Sequence, residues 1–217
     1  MQFPKQKGNY LIAAAFLLLM TKCRPPVTFN QPQPPNTKEL SAFPKRIQGK
    51  YLSQDKVSIL IISDKAAIRT YDFDLKLSKD SLKNDYRLEG DTLIEIPSGK
   101  RQSVIIAGDT IFARSTGVDT LFYISETNVL KKFRGYYFLN TLYDKDAWTL
   151  QRISLSEGIL TISEITDSTH INQLKEITDT PADTICSNFK LNQKQFKQLV
   201  NGNAFDQSEQ FTRLQGK

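Results

Sequence analysis

Ile68-Arg-Thr-Tyr-Asp-Phe-Asp-Leu-Lys-Leu77 is the stretch that decides the fold class of this chain. From Tyr71 onward, apolar and charged residues alternate one for one. Tyr71, Phe73, Leu75 and Leu77 point one way, and Asp72, Asp74 and Lys76 point the other. Successive side chains leave opposite faces of a sheet, so this period of two is the mark of a half-buried antiparallel strand. The aromatic side is expected to face a core.

The same reading extends in both directions. Upstream, Val57-Ser-Ile-Leu-Ile-Ile62 is an apolar run bounded by the turn residues Ser63-Asp-Lys65. Downstream, Leu88–Ile96 and Ile106–Arg114 each carry Gly-Asp between strand residues, at Gly90-Asp91 and Gly108-Asp109. Glycine accepts positive φ without strain, and such pairs suit the primed two-residue turns whose twist matches the flanking strands. Asp119-Thr-Leu and Asp183-Thr-Ile repeat the strand start Asp-Thr-aliphatic. Tyr136–Tyr143, Ala147–Leu155 and Ile159–Ile165 then read as a meander. The expected architecture is mainly β, an antiparallel meander of about ten to twelve strands closing as a barrel or a sandwich. Gly49-Lys-Tyr51 and Gly135-Tyr-Tyr137 both launch strand patterns, marking 49–125 and 135–190 as a candidate duplication.

Two short helices close the chain. Ile171, Leu174 and Ile177 form one apolar stripe after Ser168 or Thr169, stopped by Pro181. Asn192 with Gln195 spells a capping box, Leu191 and Phe196 occupy the staple positions, and Gly202 stands where a C′ glycine belongs.

Several chemistries are excluded by what is missing. The chain has one histidine, His170, and two cysteines, Cys23 and Cys186, so it offers no His-rich or Cys-x-x-Cys zinc set. No Gly-x-Ser-x-Gly elbow occurs, and Ser98-Gly-Lys-Arg101 lacks the upstream glycine and the Ser/Thr of a P-loop. The sequence calls for no catalytic residue, no metal and no cofactor. A Cys186–His170 nucleophile pair is disfavoured, and His170 reads as a surface residue at a helix start. Asp72 and Asp74 share a strand face about 7 Å apart, a spacing open to an inverting hydrolase, but Lys76 on that face marks it as solvated. The net charge of +6 invites nucleic acid, yet half of it is Lys5, Lys7 and Lys22 at the N-terminus. The remainder is well mixed, so nucleic acid is discounted as a partner.

That N-terminus has its own pattern. Lys5 and Lys7 precede the apolar run Tyr10–Met20, and Cys23 follows three residues later. The run is shorter than the roughly 20 residues needed to span a bilayer. A basic segment, a short apolar core and a terminal cysteine resemble a bacterial lipoprotein signal. Met20 and Lys22 stand where such signals usually carry Leu and a small residue, a looser form used by groups such as Bacteroidota. The resemblance covers only the leader. It implies a signal peptide over 1–22, diacylation (palmitate-type) of Cys23 and membrane attachment in the cell envelope, commonly at the outer membrane. The alternative is a secreted or periplasmic protein. Five of the nine prolines fall between Arg24 and Lys38. Residues 23–42 therefore read as a lipid-anchored, Pro-rich tether of up to roughly 45 Å in polyproline form, and 43–217 as one β-rich domain.

For binding, the sequence singles out Tyr136, Phe138, Tyr143 and Trp148. Tyr137 has opposite parity to Tyr136 and Phe138, so some of these rings must leave the core or lie under a second layer. The leading expectation is a non-enzymatic, lipid-anchored envelope protein whose β-domain binds a partner protein or plays a structural role. A lipocalin-like small-ligand binder with an apolar cavity is the alternative, on the weak likeness of the Gly-x-Tyr openings; exposed aromatics in turn suit stacking on a carbohydrate, and a carboxylate-dependent hydrolase ranks last.

Overall fold

A computed structural model describes residues 27–82, 85–181 and 187–214. The leader, Cys23, Cys186 and the Asp183 strand start lie outside the described residues. Sixteen strands are present among them, more than the ten to twelve read from sequence. The difference lies in short pieces of two to four residues that carry no periodicity of their own.

The strands are β1 (Val27–Phe29), β2 (Glu39–Leu40), β3 (Gly49–Ser53), β4 (Ser58–Ile62), β5 (Ala66–Ser78), β6 (Tyr86–Glu89), β7 (Thr92–Glu95) and β8 (Arg101–Ser103). They continue with β9 (Ile105–Ala107), β10 (Thr110–Tyr123), β11 (Asn128–Phe133), β12 (Tyr136–Asp144), β13 (Ala147–Ser156) and β14 (Ile159–Glu164). Helix α1 (Ser168–Ile177), β15 (Ser187–Phe189), helix α2 (Gln193–Asn201) and β16 (Gln207–Arg213) complete the chain. One large sheet runs in the order β2-β11-β12-β13-β14-β16-β3-β4-β5-β10-β9, with β1 and β15 attached at β13. β6, β7 and β8 form a separate small sheet. The fold is mainly β as expected, and of the two closures foreseen it takes the sandwich-like one: the hydrogen-bonded path ends at β2 and β9 and does not close.

Three apolar clusters explain this arrangement. The large sheet curls so that Tyr51, Leu60, Ala67, Phe122, Leu130, Tyr137, Ile153, Leu160 and Phe211 meet in one core. On the opposite face of β12 and β13, a second cluster joins Phe138 and Leu150 to Phe29, Leu174, Phe189, Phe196 and Leu199, so the helices form a covering layer. A third cluster packs Leu75, Leu77, Ile111 and Ala113 of the paired β5–β10 ribbon against Leu93 of the small sheet.

Local chemistry follows the sequence closely at the turns. Gly90 and Gly108 adopt φ of 61° and 59° as first central residues of two-residue hairpin loops, the position that a II′ turn reserves for glycine. At α2 the capping box forms: Asn192 Oδ1 accepts from Gln195 N–H at 2.9 Å, and Gln195 Oε1 accepts from Asn192 N–H at 2.9 Å. Gly202 departs from expectation, because its φ is −79° and Asn203 takes the left-handed turn at 52°. Glycine at 202 serves closeness instead, since a Cβ there would lie 2.8 Å from the Gln173 amide of α1.

The largest correction concerns the tether. Val27–Phe29 pairs in parallel with β15 and meets β13 at Phe29↔Trp148. Gln33 is 0% exposed, and Pro34 and Pro35 are buried with it. Proline lacks an N–H donor, but its carbonyl still accepts. The Lys131 ammonium donates to the carbonyls of Pro32 at 3.0 Å and Pro34 at 3.1 Å. Asn140 treats Gln33 as a strand would, accepting from its N–H at 2.6 Å and donating to its C=O at 2.9 Å. The domain therefore begins by residue 27, not 43.

A second correction concerns Tyr71 and Phe73. The parity read from sequence is right, and Leu75 and Leu77 pack as foreseen. Yet Tyr71 and Phe73 are 38% and 40% exposed. Tyr71 lies at the last pair of β4 and β5, and Phe73 just beyond it where only β10 is paired, and neither the main core nor the small sheet covers them.

Candidate functional site

The inner face of the curled sheet changes character toward the β3–β4 turn. Cross-strand partners share a face, so the register places Ser53 and Phe211, Ser58 and Tyr71, and Tyr71 and Gly117 together on that side. Arg69, one inward position along β5 from Tyr71, stands opposite Asp119 of β10. Ser53, Ser58, Arg69 and Phe211, with Gln54, Asp55, Ser208, Glu209 and Gln210, surround an open recess of about 430 Å³.

The walls of the recess are fixed. Ser53 Oγ donates to Asp55 at 2.5 Å, Val57 N–H donates to the same carboxylate oxygen at 3.0 Å, and Ser58 N–H donates to Ser53 Oγ at 2.9 Å. The Ser53 hydroxyl first, and the Val57 amide second, hold the Asp55 carboxyl below its ordinary range. Arg69 forms an ion pair with Glu209, and its guanidinium lies 5.4 Å from the Phe211 ring centroid. Its Nε is buried with no hydrogen-bond partner. A charge pinned by a carboxylate and an aromatic face keeps one geometry, which is what recognition of a polar group requires.

Beyond Arg69 and outside the recess lining, two rings continue along the same face of β5. Tyr71 and Phe73 have centroids 6.0 Å apart. The Tyr71 ring packs against Gly117, where any Cβ would meet its ring atoms at 2.4 Å. The surface thus combines a polar notch with an aromatic rail. Sequence reading missed Arg69, Glu209 and Ser58. A signal was there: Arg69 is a charge on the same parity as Tyr71, Phe73, Leu75 and Leu77.

The four rings singled out from sequence are not brought together. Phe138 is 0% exposed beneath α2, its ring 5.1 Å from Phe196, and cannot touch a ligand in this fold. Tyr136 shares Arg152 with Phe205, the guanidinium lying 5.0 and 4.6 Å from the two centroids, so it belongs to the helix-covered face. Burial pulls the Arg152 pKa down. Trp148 is half-buried beside Phe29, and Tyr143 is exposed at the end of β12. A second layer over the sheet, weighed from parity alone, accounts for Tyr136 and Phe138.

Asp72 and Asp74 lie on the exposed face of the ribbon. Asp72 accepts from Thr116 Oγ1 at 2.8 Å and Arg114 at 3.2 Å, an arrangement of surface pairing. Asp167, His170 and Asp206 place one ligand atom each within 4.8 Å of one another. Asp206 is nonetheless saturated with donors: His170 Nδ1 at 2.8 Å, Thr166 Oγ1 at 2.8 Å and N at 3.1 Å, Asp167 N at 2.7 Å and Gln207 N at 2.5 Å. Partial burial pushes its pKa up, but these hydrogen bonds together outweigh it and hold the carboxyl well below the usual range. The cluster is a staple between β16 and the start of α1, with Asp167 capping the helix through Thr169 N–H at 2.7 Å. No helix among the described residues is long and apolar enough to cross a membrane. Set against known protein families, curated proteins and solved structures, the chain matches none of them.

Proposed function

We propose that this is a lipid-anchored cell-envelope protein, attached through acylated Cys23 and resident at the outer membrane, whose β-domain docks a partner protein without turning over a substrate. The anchor and the location rest on the leader pattern described above. The docking half rests on one observation: the rigid Arg69–Glu209 notch continues directly into the exposed Tyr71–Phe73 rail. Interfaces are built around such aromatic and arginine anchors with a polar rim.

The competing readings gain less. A lipocalin-like binder of apolar ligands needs an enclosed apolar cavity, and here Tyr51, Leu60, Phe122, Tyr137 and Phe211 occupy the interior. A carboxylate hydrolase on Asp72 and Asp74 needs the pair in a cleft, whereas both lie exposed and Asp72 is engaged by Thr116 and Arg114. A carbohydrate remains the second reading, favoured by the Tyr71 ring standing opposite the Ser58 hydroxyl.

Two measurements test the proposal. Mass spectrometry of the mature N-terminus should find acylated Cys23, and Cys23→Ser should move the protein out of the membrane fraction. A photo-crosslinking residue at Tyr71 should give a discrete protein adduct in cells, absent with Arg69→Ala and absent when the probe sits at Thr212 on the other face of the sheet. Equal adducts at both positions, or none at Tyr71, would sink the docking surface.

A further inference from the structure

The docked N-terminal segment fixes how far the domain can stand from a lipid anchor. Val27 is the first residue of β1, and its backbone is in register with Ser187 of β15. It also lines a second recess of about 280 Å³ with Phe29, Leu121, Thr149, Gln151, Glu164 and Thr166. Only Arg24, Pro25 and Pro26 separate Val27 from Cys23. Four steps of fully extended chain reach about 14 Å. The headgroup region of one leaflet takes about 6 Å of that, being half the difference between whole and hydrocarbon bilayer thickness.

The chain cannot supply more length from within the fold. β1 is paired on both sides, and beyond it Lys131 and Asn140 hold Pro32, Gln33 and Pro34 through their backbone atoms. On the reading that Cys23 is acylated, we infer that the domain is seated directly on the lipid headgroups, with the rim around Val27, Gln151, Glu164 and Thr166 facing the membrane. Gln151, Glu164 and Thr166 give the rim a polar, acid-bearing edge around an apolar floor of Val27, Phe29 and Leu150, and Asp167 and Asp206 adjoin it at Thr166, so it suits zwitterionic headgroups and disfavours an anionic surface. The Arg69 recess shares no lining residue with this rim, which leaves the two surfaces separate tasks.

The test uses the full acylated protein in phosphatidylethanolamine–phosphatidylcholine vesicles carrying a headgroup-attached nitroxide. A fluorophore is placed at Ser168→Cys, beside the rim, or at Ile96→Cys at the end of β7, each with Cys186→Ser. Quenching at position 168 should exceed that at 96 several-fold. Inserting 15 Gly/Ser residues between Pro26 and Val27 adds roughly 20 Å of reach and should remove the excess without touching the fold. Vesicle-bound protein that quenches equally at both positions, or is indifferent to the insertion, overturns the seating. Native protein whose mature N-terminus carries no acyl group on Cys23, or acylated protein that fails to float with vesicles, overturns the anchor itself, a separately readable outcome.

Discussion

Residues 27–42 and residues 68–77 exchange the roles that their compositions suggest. The first is rich in proline and polar residues and reads as solvated spacer, yet Phe29 and Gln33 are fully buried. The second alternates like a core strand, yet Tyr71 and Phe73 stand in solvent. Local pattern decides which way a side chain points. Whether anything lies on that side depends on groups far away in sequence: Lys131, Asn140 and Trp148 cover the first stretch, and no layer among the described residues covers the second.

The comparison can be broken most directly at two phenylalanines. Phe29→Ala, in the apparent spacer, should cost about 3–5 kcal/mol in urea unfolding, the usual range for a fully buried ring. A loss under about 1 kcal/mol would return the segment to the status of linker. Asn140→Ala should follow at about 3 kcal/mol, because the Gln33 N–H and C=O would both be left buried and unpaired.

Asp206→Asn tests whether polar clamps of this kind carry comparable weight elsewhere, with about 2 kcal/mol expected at neutral pH from weakened charge-assisted bonds. Its pH dependence has a definite sign. A carboxyl whose native pKa is depressed stabilises fully above its unfolded value of about 3.9, and that contribution is lost as pH falls from there toward the native value. The stability of the parent protein should therefore drop more steeply below about pH 4 than that of the Asn variant. Parallel curves would show that the staple is not electrostatic. Phe73→Ala should be the mildest change, within about 0.5 kcal/mol, as for other exposed positions. A loss approaching that of Phe29→Ala would mean the ribbon is covered after all.

The legible parts of the molecule were those specified by near neighbours. The β-rich class, the glycine hairpins and the Asn192–Gln195 capping box depend on spacings of two to four residues and appear where the sequence put them. The clamp on Gln33 lies 107 residues away in sequence, and the Arg69–Glu209 pair 140, so no local spacing could announce them. Arg69 was visible only as a charge on an apolar parity. For Tyr136 and Phe138, parity showed that two faces were aromatic and left open a covering layer or a ligand surface; α2 supplies the layer.

The pairing of β1 also sets an order of assembly. Val27 needs Ser187, Phe29 needs Trp148, and Gln33 needs Asn140. Contacts of such long sequence separation form late, because loop-closure entropy must be overcome before they contribute. The part of the domain that is synthesised first is thus among the last to be locked. Until residue 189 is in place, Val27–Phe29 lacks the strand it pairs with in parallel, and truncation anywhere before β15 would leave both ends of the domain unfinished at once.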